Sequence, residues 1–118
     1  MLKLKLAAGL VAVAGLLVLS PLATARTHAA KSTTVTVKAT EFKFALSKKS
    51  APHGTVVFKI TNKGHISHDF KIAGKKTSLL LPGKSATIKV TLKKGSYKYT
   101  CTVPGHAAAG MKGTFKAT

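Results

Sequence analysis

The chain carries a single cysteine, Cys101, followed by His106 and Met111, so that this stretch reads Cys-x4-His-x4-Met. A further histidine, His68, lies upstream in Asn62-Lys63-Gly64-His65-Ile66-Ser67-His68-Asp69-Phe70. One thiol, two imidazoles and a thioether make a mixed set of soft and borderline metal donors. A trigonal plane of thiolate and two imidazoles, with a weak thioether on its axis, suits copper, because those donors tolerate Cu(I) and Cu(II) alike. A frame that holds them still as the charge changes makes one-electron exchange fast. With all four engaged, no position stays open for a substrate, which separates such a site from a catalytic metal centre.

Each residue also has an ordinary structural role. A lone Cys is usually a small buried hydrophobe, a Met is usually filler, and a loop His is usually solvated. Their conjunction carries the weight, since the only Cys and the only Met besides Met1 share one short window with a His between them. A single Cys excludes an internal disulfide and any Cys-x2-Cys zinc or redox motif. An enzyme using Cys101 as nucleophile and His106 as base would need an open cleft and an orienting third group. No motif for either is present, so no enzyme is expected.

The elements that must position these residues are strands. From Thr34 onward the apolar period is two, the mark of half-buried strands. Val35, Val37 and Ala39 take one phase, followed by Phe42, Phe44 and Leu46, then Val56, Phe58 and Ile60. Downstream the inward set is Ala86, Ile88, Val90 and Leu92, then Phe115 and Ala117. Turn residues separate the runs at Pro52-His53-Gly54, Asn62-Lys63-Gly64, Pro82-Gly83, Lys94-Gly95 and Pro104-Gly105. Seven or eight short strands with regular turns predict an all-β sandwich. On this alternation Tyr97, Tyr99 and Cys101 face inward, and Met111 is in phase with Phe115. His68, Phe70 and Ile72 share the inward phase, with Asp69 and Lys71 on the other. Pro104, Gly105 and Gly110 shape a loop that can fold His106 back toward both sulfurs.

The 118 residues fit one small domain, which excludes a multidomain enzyme. Lys3 and Lys5 precede an uncharged run from Leu6 to Ala25 that ends in Ala23-Thr24-Ala25, the layout of a secretory signal peptide. The reading is therefore a signal peptide over 1–25, a polar leader over 26–33 and one domain over 34–118. It places the protein in the periplasm, outside the cell or at its surface. Left uncut, the run is about long enough to span a bilayer, but Ser20, Pro21 and Thr24 weaken that membrane-anchored alternative.

Lys and Arg number 20 against 2 Asp and Glu, a formal net charge of +18. Lys38, Lys43, Lys59, Lys71, Lys89, Lys98, Lys112 and Lys116 fall on polar strand phases, so most of this charge coats the outside. It serves either solubility and edge protection or steering toward an acidic protein partner or anionic envelope surface. Nucleic acid is not an expected partner, given the export signal and only Tyr97 and Tyr99 as rings besides Phe. A monomer is expected.

Asn62-x-Gly64 before His68-Asp69-Phe70, Pro82-Gly83, and Tyr99-x-Cys101-x4-His106-x4-Met111 together resemble the cupredoxin family of small blue copper proteins, over roughly residues 33–118. The ligand-loop spacing is most similar to its rusticyanin and auracyanin members. The resemblance implies a Greek-key sandwich with one type 1 copper ion at one end. It implies His68, Cys101 and His106 as equatorial ligands and Met111 as the axial one. Asp69 stands where the family often has Asn, and is expected to accept a hydrogen bond from a backbone N–H or the hydroxyl near Thr102. The backbone N–H groups of Asp69 and Val103 are expected to reach the Cys101 sulfur and tune its potential. Ala107, Ala108 and Ala109 would form an apolar rim around an exposed His106 edge. The implied function is an exported carrier of single electrons between redox partner proteins, and a copper-handling protein without redox turnover is the alternative. His65 is expected in solvent, and His53 in its turn and His28 in the leader are expected outside the metal chemistry.

Overall fold

The computed structural model describes residue 9, residues 12–16 and residues 31–118. The remainder of the expected signal segment, the leader as far as residue 30, and with it His28, lie outside the described residues.

Alternation dictates the architecture. Strand β1 (Thr33–Thr40) buries Val35, Val37 and Ala39 completely while its Thr34, Thr36 and Lys38 stay exposed. It pairs antiparallel with β2 (Lys43–Leu46) and parallel with β4 (Gly54–Asn62), which in turn pairs antiparallel with β7 (Ser85–Leu92). These four form one sheet in the order β2-β1-β4-β7. The second sheet runs β3-β9-β8-β5-β6, built from β3 (Ser50–Ala51), β9 (Lys112–Ala117), β8 (Gly95–Thr100), β5 (Lys71–Ile72) and β6 (Lys75–Lys76). The chain passes from one sheet to the other between β2 and β3, β3 and β4, β4 and β5, β6 and β7, and β7 and β8. That repeated crossing is what a Greek-key sandwich requires.

The inner faces of the two sheets meet through rings. Phe58 of β4 lies 5.2 Å from Phe115 of β9 and 5.6 Å from Phe70, centroid to centroid. Phe70 is also met edge-on by Phe44 at 5.1 Å and stacked by Tyr99 at 5.6 Å. Phe58, Phe70 and Phe115 are fully buried, each contributing about 2–3 kcal/mol of transfer free energy. These rings tie β8 and the segment entering β5 to the opposite sheet; Cys101 directly follows the first and His68 lies in the second. The eight lysines assigned to polar phases are all exposed.

The structure departs from the alternation in three places. The described residues form nine strands instead of seven or eight, because β3 and β6 are two residues long, too short for a period to show. Phe42 is not part of an inward run: Glu41 and Phe42 form the turn joining β1 to β2, and Phe42 is 39% exposed. Asp69 is 6% exposed instead of lying on an outer face, because a hydrogen-bonded partner across the sheet holds its carboxylate.

Candidate metal centre

Each donor is set by a strand pairing that continues past the strand's end. In the β8–β9 ladder Thr100 faces Lys112, and one step further the Cys101 N–H donates to the Met111 carbonyl at 3.0 Å. In the β5–β8 ladder Lys71 faces Thr100, and beyond it the Thr102 N–H donates to Asp69 Oδ1 at 2.6 Å while the Thr102 hydroxyl donates to Oδ2. His68, next to Asp69, exchanges two backbone hydrogen bonds with Leu80, at 3.1 and 2.7 Å. The sheet therefore delivers His68, Cys101 and Met111 to one end of the sandwich.

His106 arrives by a self-bonded loop. Its N–H donates to the Val103 carbonyl and its own carbonyl accepts from Met111, both at 3.1 Å. Gly110 closes the loop at a φ of 120°, where a Cβ would come within 3.1 Å of the Phe42 carbonyl. The positive φ calls for glycine, and a side chain there would also crowd that carbonyl.

The donor atoms converge. His68 Nδ1 lies 3.1 Å from His106 Nδ1, and Cys101 Sγ lies 3.6 Å from that same nitrogen. One ligand atom from each of the three residues falls within 4.8 Å of the others. His68, Cys101 and Met111 are at most 1% exposed, whereas His106 is 9% exposed. Met111 is buried in one cluster with Cys101 and Ala39.

Asn62, fully buried, fastens the loops around this end. Its side-chain amide donates to the carbonyls of Ile66 and Leu80, each at 2.8 Å, and its Oδ1 accepts from the Gly64 N–H at 2.8 Å. His65 is exposed, and His53 is exposed with its ring Nδ1 2.9 Å from the Thr118 carbonyl; neither is among the residues whose ligand atoms converge.

Burial pushes the Cys101 thiol up from its ordinary pKa, and the nearby Asp69 charge adds to that. Hydrogen bonds from the Asp69 and Val103 backbone N–H groups to the sulfur pull the other way. Those two contacts favour the anion that a metal needs.

Two contacts were not legible in the sequence pattern. The His68 Nε2–H donates to Glu41 Oε1 at 3.2 Å. The same oxygen accepts from the His65 and Ile66 N–H groups at 2.7 and 3.0 Å. The Ile66 N–H is the largest cause holding the Glu41 carboxyl down at about 2, below its ordinary 4.5, against an opposing effect of desolvation. Phe42 meets the His106 ring edge-on, with centroids 5.1 Å apart. Glu41 is one of only two acids in the chain, which was the available signal. Phe42 gave none, since it continues the apolar alternation.

The donor chemistry fits copper. With its Nε2 hydrogen given to Glu41, His68 presents the Nδ1 lone pair to the cluster, where it meets an imidazole nitrogen and a sulfur. A β-sandwich that gathers these donors at one end defines the class of small copper-binding domains. The sequence profile described as "Copper binding proteins, plastocyanin/azurin family" matches residues 25–118. The chain belongs to this copper-binding family. It is 46% identical over 43 residues to auracyanin-B of Chloroflexus aurantiacus, a match covering 36% of this chain and 18% of that relative. This chain thus matches less than a fifth of that relative's length. Rusticyanin from Thiobacillus ferrooxidans superposes with a TM-score of 0.65 at 23% identity, covering 75% of this chain and 78% of the other. Auracyanin from Roseiflexus castenholzii gives 0.60 at 23% identity, covering 74% and 96%. At that identity both likenesses show the fold.

Proposed function

We propose that the protein is an exported type 1 copper protein that carries single electrons between redox partners. In this reading His68 Nδ1, Cys101 Sγ and His106 Nδ1 would hold the ion, and Met111 would add a weak thioether donor. The copper-binding family and the auracyanin and rusticyanin neighbours support it. The observation that carries it is the convergence of two imidazole nitrogens and one thiol sulfur within 4.8 Å, all on buried residues. The bound ion supplies a one-electron couple between Cu(I) and Cu(II).

The residues of the chain do the rest. Asp69 and Val103 hold the sulfur, the sheet ends fix its distance from His68, and burial of Met111 and Cys101 keeps water out. His106 is the one proposed ligand whose edge reaches the surface, and is therefore the electron exit. Exposed apolar side chains flank the elements that build this end: Phe42 against His106, Ile66 beside the Asn62 tie, and Leu79 and Leu81 on either side of Leu80. They give a redox partner a dry surface. The lysine coat steers an acidic partner or an anionic envelope surface toward it, and transfer should then slow steeply with added salt. The protein works as a monomer and has no enzymatic role of its own.

Repeated chemical reduction and reoxidation of the copper-loaded protein in the presence of a Cu(I) chelator separates carriage from handling. A carrier retains its copper through the cycles. Loss of the ion to the chelator on the first reduction would establish copper handling instead.

A further inference from the structure

Outside the donor set, Glu41 is the one carboxylate among the described residues that touches a proposed ligand's ring. The geometry points to Glu41 as a positioning residue for the copper centre: its carboxylate holds His68 with Nδ1 toward the donor cluster and, through its negative charge, favours the oxidised ion. This rests on the copper reading above.

The placement is specific. Glu41 sits in the β1–β2 turn, while His68 lies on a different loop, and three N–H groups of that loop converge on the single oxygen Oε1. Gly64 leaves the room: a Cβ at that position would overlap the Glu41 carboxylate. Two backbone donors pin the acceptor, so the His68 ring is oriented by a fixed partner and not by a mobile side chain. Hydrogen bonding to a carboxylate selects the Nε2–H tautomer and makes the other nitrogen a stronger donor. A stronger, anion-backed donor stabilises Cu(II) more than Cu(I), which lowers the reduction potential. Charge scarcity sharpens the case, since Glu41 and Asp69 are the only acids in a chain of 20 basic residues and both lie beside the donor cluster.

A purely structural staple between two loops would need only the acceptor oxygen. Glu41→Gln keeps that oxygen and removes the charge, so the two roles predict different results. The test is voltammetry and visible spectroscopy on copper-loaded wild type, Glu41→Gln and Gly64→Ala. Gly64→Ala displaces the carboxylate without altering it, and decides the matter if Glu41→Gln does not fold. Both variants should keep the visible band. Both should also raise the potential, by at least a tenfold shift toward Cu(I), which is about 59 mV for a one-electron couple. Cu(II) affinity should fall by about 10- to 100-fold. In the copper-free protein, nitrogen NMR should find His68 as the Nε2–H tautomer in wild type and a mixture in Glu41→Leu. Unchanged potentials in variants that retain the band, or an Nδ1–H tautomer in wild type, would overturn the role of Glu41 alone. A wild type without the band would instead overturn the copper centre, and this role with it.

Discussion

Asp69 accepts both the backbone N–H and the hydroxyl of Thr102, and so locks the residue after His68 to the residue after Cys101. The β5–β8 ladder ends at Lys71 and Thr100, and this side-chain pair extends its register into the loops where backbone pairing has stopped. Asp69→Ala removes both acceptors and should cost about 2–3 kcal/mol in denaturant unfolding of the copper-free protein. Asp69→Asn keeps an acceptor for the N–H and should cost about 1 kcal/mol. Equal stability of Asp69→Ala and wild type would show that the pair does not hold the register.

Asn62 satisfies two carbonyls and one N–H from a fully buried position. Asn62→Ala leaves the Leu80 carbonyl without its side-chain donor and frees the loop that leads to His68. A loss of about 2–4 kcal/mol is expected, readable as a fall in Tm of the copper-free protein.

Burial raises the Cys101 thiol, so binding of copper through this sulfur would release its proton. Affinity should therefore increase with pH, by about tenfold per unit for the one thiol proton, and level off once pH passes the raised pKa. Competition titrations across pH measure the slope. Affinity that is flat with pH, or that falls as pH rises, would mean that no buried thiol is deprotonated on binding.

Met111 is buried beside Cys101 and its carbonyl accepts the Cys101 N–H, so its chain position is fixed whatever its side chain does. Met111→Leu should keep the fold and the visible band, and raise the reduction potential, since a weak donor to Cu(II) is lost. A potential equal to wild type would remove Met111 from the axial role.

The inner faces of β1, β4, β7, β8 and β9 were legible because period-two alternation is a local property of the chain. So was the phase that brings His68, Phe70 and Ile72 to one side. Phe42 misled because its apolarity continues the rhythm of Phe44 and Leu46, while the chain had already reversed direction at Glu41. Asp69 misled in phase for a different reason: a cross-sheet hydrogen bond buries a side chain that alternation alone would turn outward. The contact between Glu41 and His68 joins two loops that leave neighbouring strands β1 and β4 at the same end, far apart in the chain, and no spacing rule encodes that meeting. The donor window around Cys101 was readable because one short loop holds three of the four donors.

Titration of the copper-free protein with Cu(II), followed in the visible spectrum, tests directly whether Cys101, His68 and His106 bind one ion together. An intense thiolate-to-copper charge-transfer band should grow to saturation at one equivalent and be absent from Cys101→Ser. Colourless binding by wild type, or a band that survives in Cys101→Ser, would contradict it.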